Sequence, residues 1–89
     1  MTNNSIDLEI KKLKTTIKRL ESTAKTYKEK GDRNYAYYKN GGRPGRDGRN
    51  DPSTVQECYL ISQNAYKRAK EMQENAEKYK LKLKALEKK

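Results

Sequence analysis

Eighty-nine residues, 31% of them apolar and none Trp or Phe, are too few and too polar to enclose a deep core, so the chain is one small domain and not a compact globule. With 38% charged residues and a net charge of +10 it is either disordered or helical with a narrow apolar seam, and the spacing of its apolar residues decides for the helix. No histidine and one cysteine, Cys58, leave neither an internal disulfide nor an ordinary zinc site, and no catalytic constellation is present. The chain therefore reads as a non-enzymatic binding module without a cofactor.

The charge divides into +5 over residues 1–40 (ten basic, five acidic), +1 over 41–53 (three, two) and +4 over 54–89 (nine, five). Such a field favours polyanions or an acidic protein face. Residues 1–13 hold no apolar signal segment, and no run approaches the roughly 20 apolar residues that span a membrane. A soluble, cytoplasmic protein with no membrane partner is expected.

Asn3, Asn4 and Ser5 offer cap oxygens, and Asp7 and Glu9 follow where the helix dipole favours acids, so a first helix is expected over about residues 5–39. Its apolar residues alternate steps of three and four. Ile10, Ile17, Ala24, Gly31 and Tyr38 take heptad position a; Ile6, Leu13, Leu20, Tyr27 and Asn34 take d. Asp7 with Lys11, Glu21 with Lys25 and Glu29 with Arg33 have the supportive i,i+4 order. Gly31-Asp32 is the weak point, because glycine costs about 1 kcal/mol in a helix interior and Asp caps a fresh start; the arm can bend or break there. Residues 33–39 carry Tyr35, Tyr37 and Tyr38 and have strand propensity too, but the phase kept by Tyr38 favours helix.

Residues 40–52 form a Gly/Arg-rich loop. A second helix, over about 53–87, opens with Asp51 or Ser53 as cap, Pro52 in its first turn and Ser53 with Gln56 at capping-box spacing. Its seam is Val55, Ser62, Ala69, Ala76 and Leu83 at a, with Cys58, Ala65, Met72, Tyr79 and Leu86 at d.

In an antiparallel hairpin an a residue layers with a d residue, so paired residue numbers share one total. A total of 96 layers Ile10 with Leu86, Ile17 with Tyr79, Ala24 with Met72, Gly31 with Ala65, Asn34 with Ser62 and Tyr38 with Cys58. Large mostly faces small, and the polar pair coincides. A total of 89 keeps the rule but sets Ala24 against Ala65 and leaves Leu86 alone; packing density favours the first.

The expected fold is thus all-α, a single-domain antiparallel coiled-coil helical hairpin with arms about 52 Å long at 1.5 Å per residue. Its seam is thin, whereas ordering ~70 helical residues costs on the order of 100 kcal/mol, so self-association into a helical bundle, or a partner, is expected. The arms read as least well packed beside the loop. Apolar residues off the seam gather there (Tyr35, Tyr37, Tyr59, Leu60, Ile61 and Tyr66), while Leu8 and Leu81 stand apart as scattered surface residues.

Four features bear on function. The loop repeats Gly42-Arg43-Pro44, Gly45-Arg46-Asp47, Gly48-Arg49-Asn50. If it is extended, with three residues per turn, the arginines form a comb suited to phosphate or carboxylate; otherwise Pro44-Gly45 and Asp47-Gly48 simply make two turns. Gly42-Arg43-Pro44 also resembles the centre of the AT-hook, a minor-groove-binding family. The resemblance covers three residues, with Gly41 where the family has an arginine, and implies insertion of Arg43 into AT-rich DNA.

Tyr35, Tyr37, Tyr38, Tyr59 and Tyr66 cluster near the loop and suit either an interface or base stacking. On the first arm, Lys11, Lys18, Lys25 and Lys39 at b with Lys12, Arg19 and Arg33 at c make one basic stripe, interrupted by Asp32, that can track a phosphate backbone or serve as a solvated face. Lys78, Lys80, Lys82, Lys84, Lys88 and Lys89 make a basic C-terminus, and Cys58 reads as core.

The leading reading is a small basic regulator that contacts nucleic acid or a nucleoprotein through Arg43, Arg46, Arg49 and the stripe. Its Lys, Asn and Tyr usage suits an AT-rich bacterial or phage genome. The rival is a protein-binding inhibitor or adaptor, such as a phage factor that blocks a host or defence nuclease, for example an RNA-guided one, through an acidic surface. A third is a purely structural bundle.

Overall fold

The structure, a computed structural model, describes residues 2–88. Helix α1 spans Thr2–Lys39. A two-stranded antiparallel ribbon follows, β1 at Arg43–Pro44 paired with β2 at Asn50–Asp51. A 3-10 turn at Pro52–Thr54 leads into helix α2, Val55–Glu87. The helices lie side by side in a rod of 64 × 20 × 12 Å, the expected all-α hairpin. No described helix is long and apolar enough to cross a membrane.

Because α1 begins at Thr2, Asn3, Asn4 and Ser5 lie within its first turns and not before them. The Asn3 and Asn4 side chains lie outside the described residues, as does Lys89. Further on, α1 passes through Gly31-Asp32 unbroken, and the reason lies in the opposite helix. The Tyr66 ring rests on Gly31, where an added Cβ would come within 2.7 Å of the ring's Cε1. Its hydroxyl donates to Asp32 Oδ1 at 2.6 Å. The glycine that weakens the helix locally is the notch that seats a cross-helix contact.

Burial follows the heptad seam. Ala24, Cys58, Ser62 and Ala76 are at most 1% exposed, and Ile17, Asn34, Ala65 and Ala69 are also buried. The polar pair is tolerated because each member bonds its own helix: Asn34 Nδ2 donates to the Lys30 carbonyl at 2.9 Å, and Ser62 Oγ to the Tyr59 carbonyl at 2.7 Å. Gly31 against Tyr66 and Tyr38 against Tyr59, the latter with ring centroids 4.9 Å apart, lie one step from the register that layers Ile10 with Leu86. The alternative register would place Gly31 level with Cys58.

One expectation is reversed. The seam is best covered in the loop half, where Gly31, Asn34, Cys58, Ser62, Ala65 and Ala69 are all buried. At the far end Ile6, Ile10, Leu13, Leu83 and Leu86 are only half-buried. Small residues let two helices touch, whereas large ones hold them apart, and a single layer of two helices cannot cover what is then exposed. Tyr38 departs from the seam as well: it is 36% exposed and stacks on Tyr59, while Cys58 below is sealed.

The loop is folded back, not extended. Gly45 N donates to Arg49 O at 2.7 Å, Gly48 N to Gly45 O at 3.0 Å, and Arg49 N to Asp47 Oδ1 at 3.1 Å. Gly42 has φ 118°, and a Cβ there would run into the Asp51 carbonyl oxygen. Neither cap candidate caps α2, whose N-cap position is Thr54 with no side-chain cap bond; Asp51 caps the 3-10 turn before it. Its Oδ1 accepts from Ser53 Oγ at 2.7 Å and Ser53 N at 3.0 Å, and these bonds, the hydroxyl first, lower its carboxyl pKa. Ser53 therefore lies inside the 3-10 turn, and the Ser53–Gln56 capping box does not form. The Thr54 hydroxyl ties the ribbon to α2, accepting from Arg43 N and donating to Asp51 O, both at 2.7 Å.

Candidate functional site

The ribbon separates the three loop arginines. Arg43 is half-buried and turned towards α2, its Nη2 lying 3.6 Å from Glu57 Oε1. Arg46 and Arg49 sit exposed at the tip with no carboxylate partner among the described residues. The one-sided comb does not form, since its extended backbone is replaced by a hairpin. Arg43-Pro44 is likewise paired with Asp51 and Asn50, and so does not project as the centre of an AT-hook would.

The tyrosines divide too. Tyr35, Tyr38 and Tyr59 form a file of tilted rings, with centroids 5.8 Å and then 4.9 Å apart, and the Lys39 ammonium lies 5.3 Å from the Tyr35 centroid. Tyr37, two residues from Tyr35 along α1, is half-buried outside this file. Tyr66 is held by Gly31 and Asp32; the bond to the Asp32 carboxylate, then burial, push its pKa from 10.0 up to about 12.

The basic stripe is exposed throughout, at Lys11, Lys12, Lys18, Arg19, Lys25, Arg33 and Lys39. Lys12 and Arg19 also line a groove between the helices, and Lys11 joins them in a surface cavity on α1. The expected pairs Asp7–Lys11, Glu21–Lys25 and Glu29–Arg33 do not form. Glu21 instead reaches across to Lys80 at 3.2 Å, with Glu77 adding a contact at 3.4 Å, and both raise the Lys80 pKa, Glu21 more. Among the described residues only Arg43 and Lys80 have a carboxylate partner.

These contacts give the rod two unlike flanks. Heptad positions e and b, with Tyr35, Tyr59, Tyr66, Glu21 and Lys80, form a flank stitched across the helices by Tyr66–Asp32 and Lys80–Glu21. Positions g and c form the other, where no side-chain hydrogen bond or ion pair joins the helices among the described residues. It opens into a cavity of about 510 Å³ floored by Leu13, Tyr79 and Leu86, and a neighbouring one of about 460 Å³ against Leu20 and Met72. A third, of about 430 Å³, lies nearer the loop between Tyr27, Lys30, Ile61 and Arg68.

Two features escaped the sequence reading. Thr54 organises the loop, and its signal was the three-residue spacing from Asp51. The groove could have been found from the same heptads by comparing g positions across the arms: Thr16 and Lys82 line one cavity, Lys30 and Arg68 another. Among the described residues no cluster of His, Cys, Asp or Glu could share a metal ion, and Cys58 is fully buried. No protein-family model, curated protein or solved structure matches the chain.

Proposed function

We propose that this protein is a non-enzymatic module that binds nucleic acid by its phosphate backbone, along the Lys11, Lys18, Lys25 row and at the exposed loop tip, Arg46 and Arg49. The observation that carries the reading is the unneutralised charge: a net +10 on a rod 64 Å long, with carboxylate partners for only Arg43 and Lys80 among the described residues. Successive lysines of the row are seven residues apart, about 10.5 Å along the helix, so one face presents a line of cations to a strand of phosphates. The file of Tyr35, Tyr38 and Tyr59 with Lys39 lies beyond the loop-side end of that line, past Asp32, an arrangement that suits a single-stranded ligand whose bases are free to stack.

Fluorescence anisotropy with labelled duplex DNA and single-stranded RNA, titrated with salt, tests this. Affinity should fall steeply as salt rises, and replacing Lys11, Lys18 and Lys25 by Gln should reduce the log–log slope by about 3, near one per phosphate contact. Absence of binding at low salt to either ligand would sink the proposal.

A further inference from the structure

We propose that the open flank is a docking groove for an acidic amphipathic helix of a partner protein, separate from the nucleic-acid surface. Two helices packed side by side leave the edges of their seam uncovered, and a third helix laid along that edge completes a bundle. On the stitched flank the edge is already covered by the Tyr66 ring and the Lys80–Glu21 bridge. On the open flank no such cover is present among the described residues: the half-buried Leu13, Leu20, Met72, Tyr79 and Leu86 line two cavities that share Tyr79 and Lys82.

The charge of the rim specifies the occupant. Lys12, Arg19, Lys30, Arg68, Lys78 and Lys82 line the three cavities of this flank, and Glu9 is their sole acidic lining residue. The exposed Lys82 side chain lays its ammonium 5.2 Å from the Tyr79 ring centroid, at the edge of the apolar floor. An apolar floor between two cationic rims is the complement of a helix with an apolar stripe flanked by Glu or Asp. Nucleic acid would leave the floor unfilled. A second copy of the chain would bring another +10 charge against the same rims.

The probe is a labelled three-heptad peptide with Leu at a and d and Glu at the flanking positions, compared with a scrambled peptide of identical composition. Anisotropy should show binding of the striped peptide only. Ala85, exposed at the lip of the larger cavity, provides a plug: Ala85→Trp should weaken binding at least tenfold with helicity unchanged. Reversing the rim with Arg19→Glu and Lys82→Glu should do the same, whereas Lys67→Glu with Lys70→Glu, exposed off the groove, should cost less than threefold.

Equal binding of the scrambled peptide, no effect of the plug, or an equal effect of the off-groove reversal would overturn the proposal. So would a native dimer that dissociates in Ala85→Trp on sedimentation, since a second copy would then occupy the groove. Duplex DNA binding should be unchanged in Ala85→Trp. Its loss there would assign the groove to nucleic acid, whereas failure of the native chain to bind either duplex DNA or single-stranded RNA would remove only the phosphate-binding reading.

Discussion

The two flanks of the rod are built by the same pair of helices on the same heptad, yet one is stitched and the other is open. The difference lies in which side chains meet beside the seam. At e positions, Glu21 finds Lys80, and Tyr66 finds a glycine to rest on and Asp32 to bond. At g positions, Thr16 shares a cavity with Lys82, Thr23 with Asn75 and Lys30 with Arg68; no hydrogen bond joins the first two pairs, and the third is a pair of like charges. A hairpin can thus be specified by its seam while reserving one edge for something else.

The largest test of this contrast is to add the same bulk in both places. Ala76 is fully exposed to its neighbours and not at all to solvent, at 0% accessibility, so Ala76→Leu should drive the helices apart and cost about 1–3 kcal/mol in thermal unfolding followed by circular dichroism. Ala85 lies on the open flank, and enlarging it should change stability by no more than about 0.5 kcal/mol. Similar losses at both positions would mean that the open flank is as tightly packed as the seam.

A smaller effect isolates the notch at Gly31. Glycine to alanine in a helix interior is worth about 1 kcal/mol, and that full gain is expected from Gly31→Ala when Tyr66 is first replaced by Ala. With Tyr66 in place the new Cβ meets its ring, so the gain should shrink or change sign. The double-mutant cycle reads the coupling directly, and additivity would show that the ring does not rest on Gly31.

How much of this was legible beforehand depends on range. The heptads of both arms, their antiparallel pairing and the buried place of Cys58 follow from periodicities that a single helix displays. The seating of Tyr66 on Gly31 does not, because each residue alone reads as a defect or a surplus: a helix breaker in one arm, an unassigned aromatic in the other. The loop misled for a related reason. Its glycine-arginine triplets suggested an extended comb, but the backbone is governed by Gly42 against the Asp51 carbonyl and by the Thr54 hydroxyl, contacts between residues 9 to 12 positions apart that no triplet pattern records. Among the candidate residues the consequence is a division. Arg46, Arg49 and the lysine row stay exposed, while Arg43 and Tyr66 are engaged within the fold.

The smallest predicted effect is also the most specific to the stitched flank, because it appears only at alkaline pH. At neutral pH Tyr66→Phe removes one hydrogen bond in a partly exposed place and should cost less than about 1 kcal/mol. In the unfolded chain Tyr66 loses its proton near its ordinary value of 10.0, while in the folded chain it holds the proton to about 12. Its contribution is therefore complete below pH 10 and is lost as pH climbs through that interval towards 12. Lys80, its pKa raised by Glu21 across the same flank, acts in the same direction, holding its stabilising charge to higher pH when folded than when unfolded. Melting temperature plotted against pH should consequently fall more steeply above pH 10 for the native chain than for Tyr66→Phe, with the two curves converging towards pH 12. Parallel curves would show that the Tyr66 hydroxyl makes no bond to Asp32 in solution, and the stitched flank would then rest on ring packing alone.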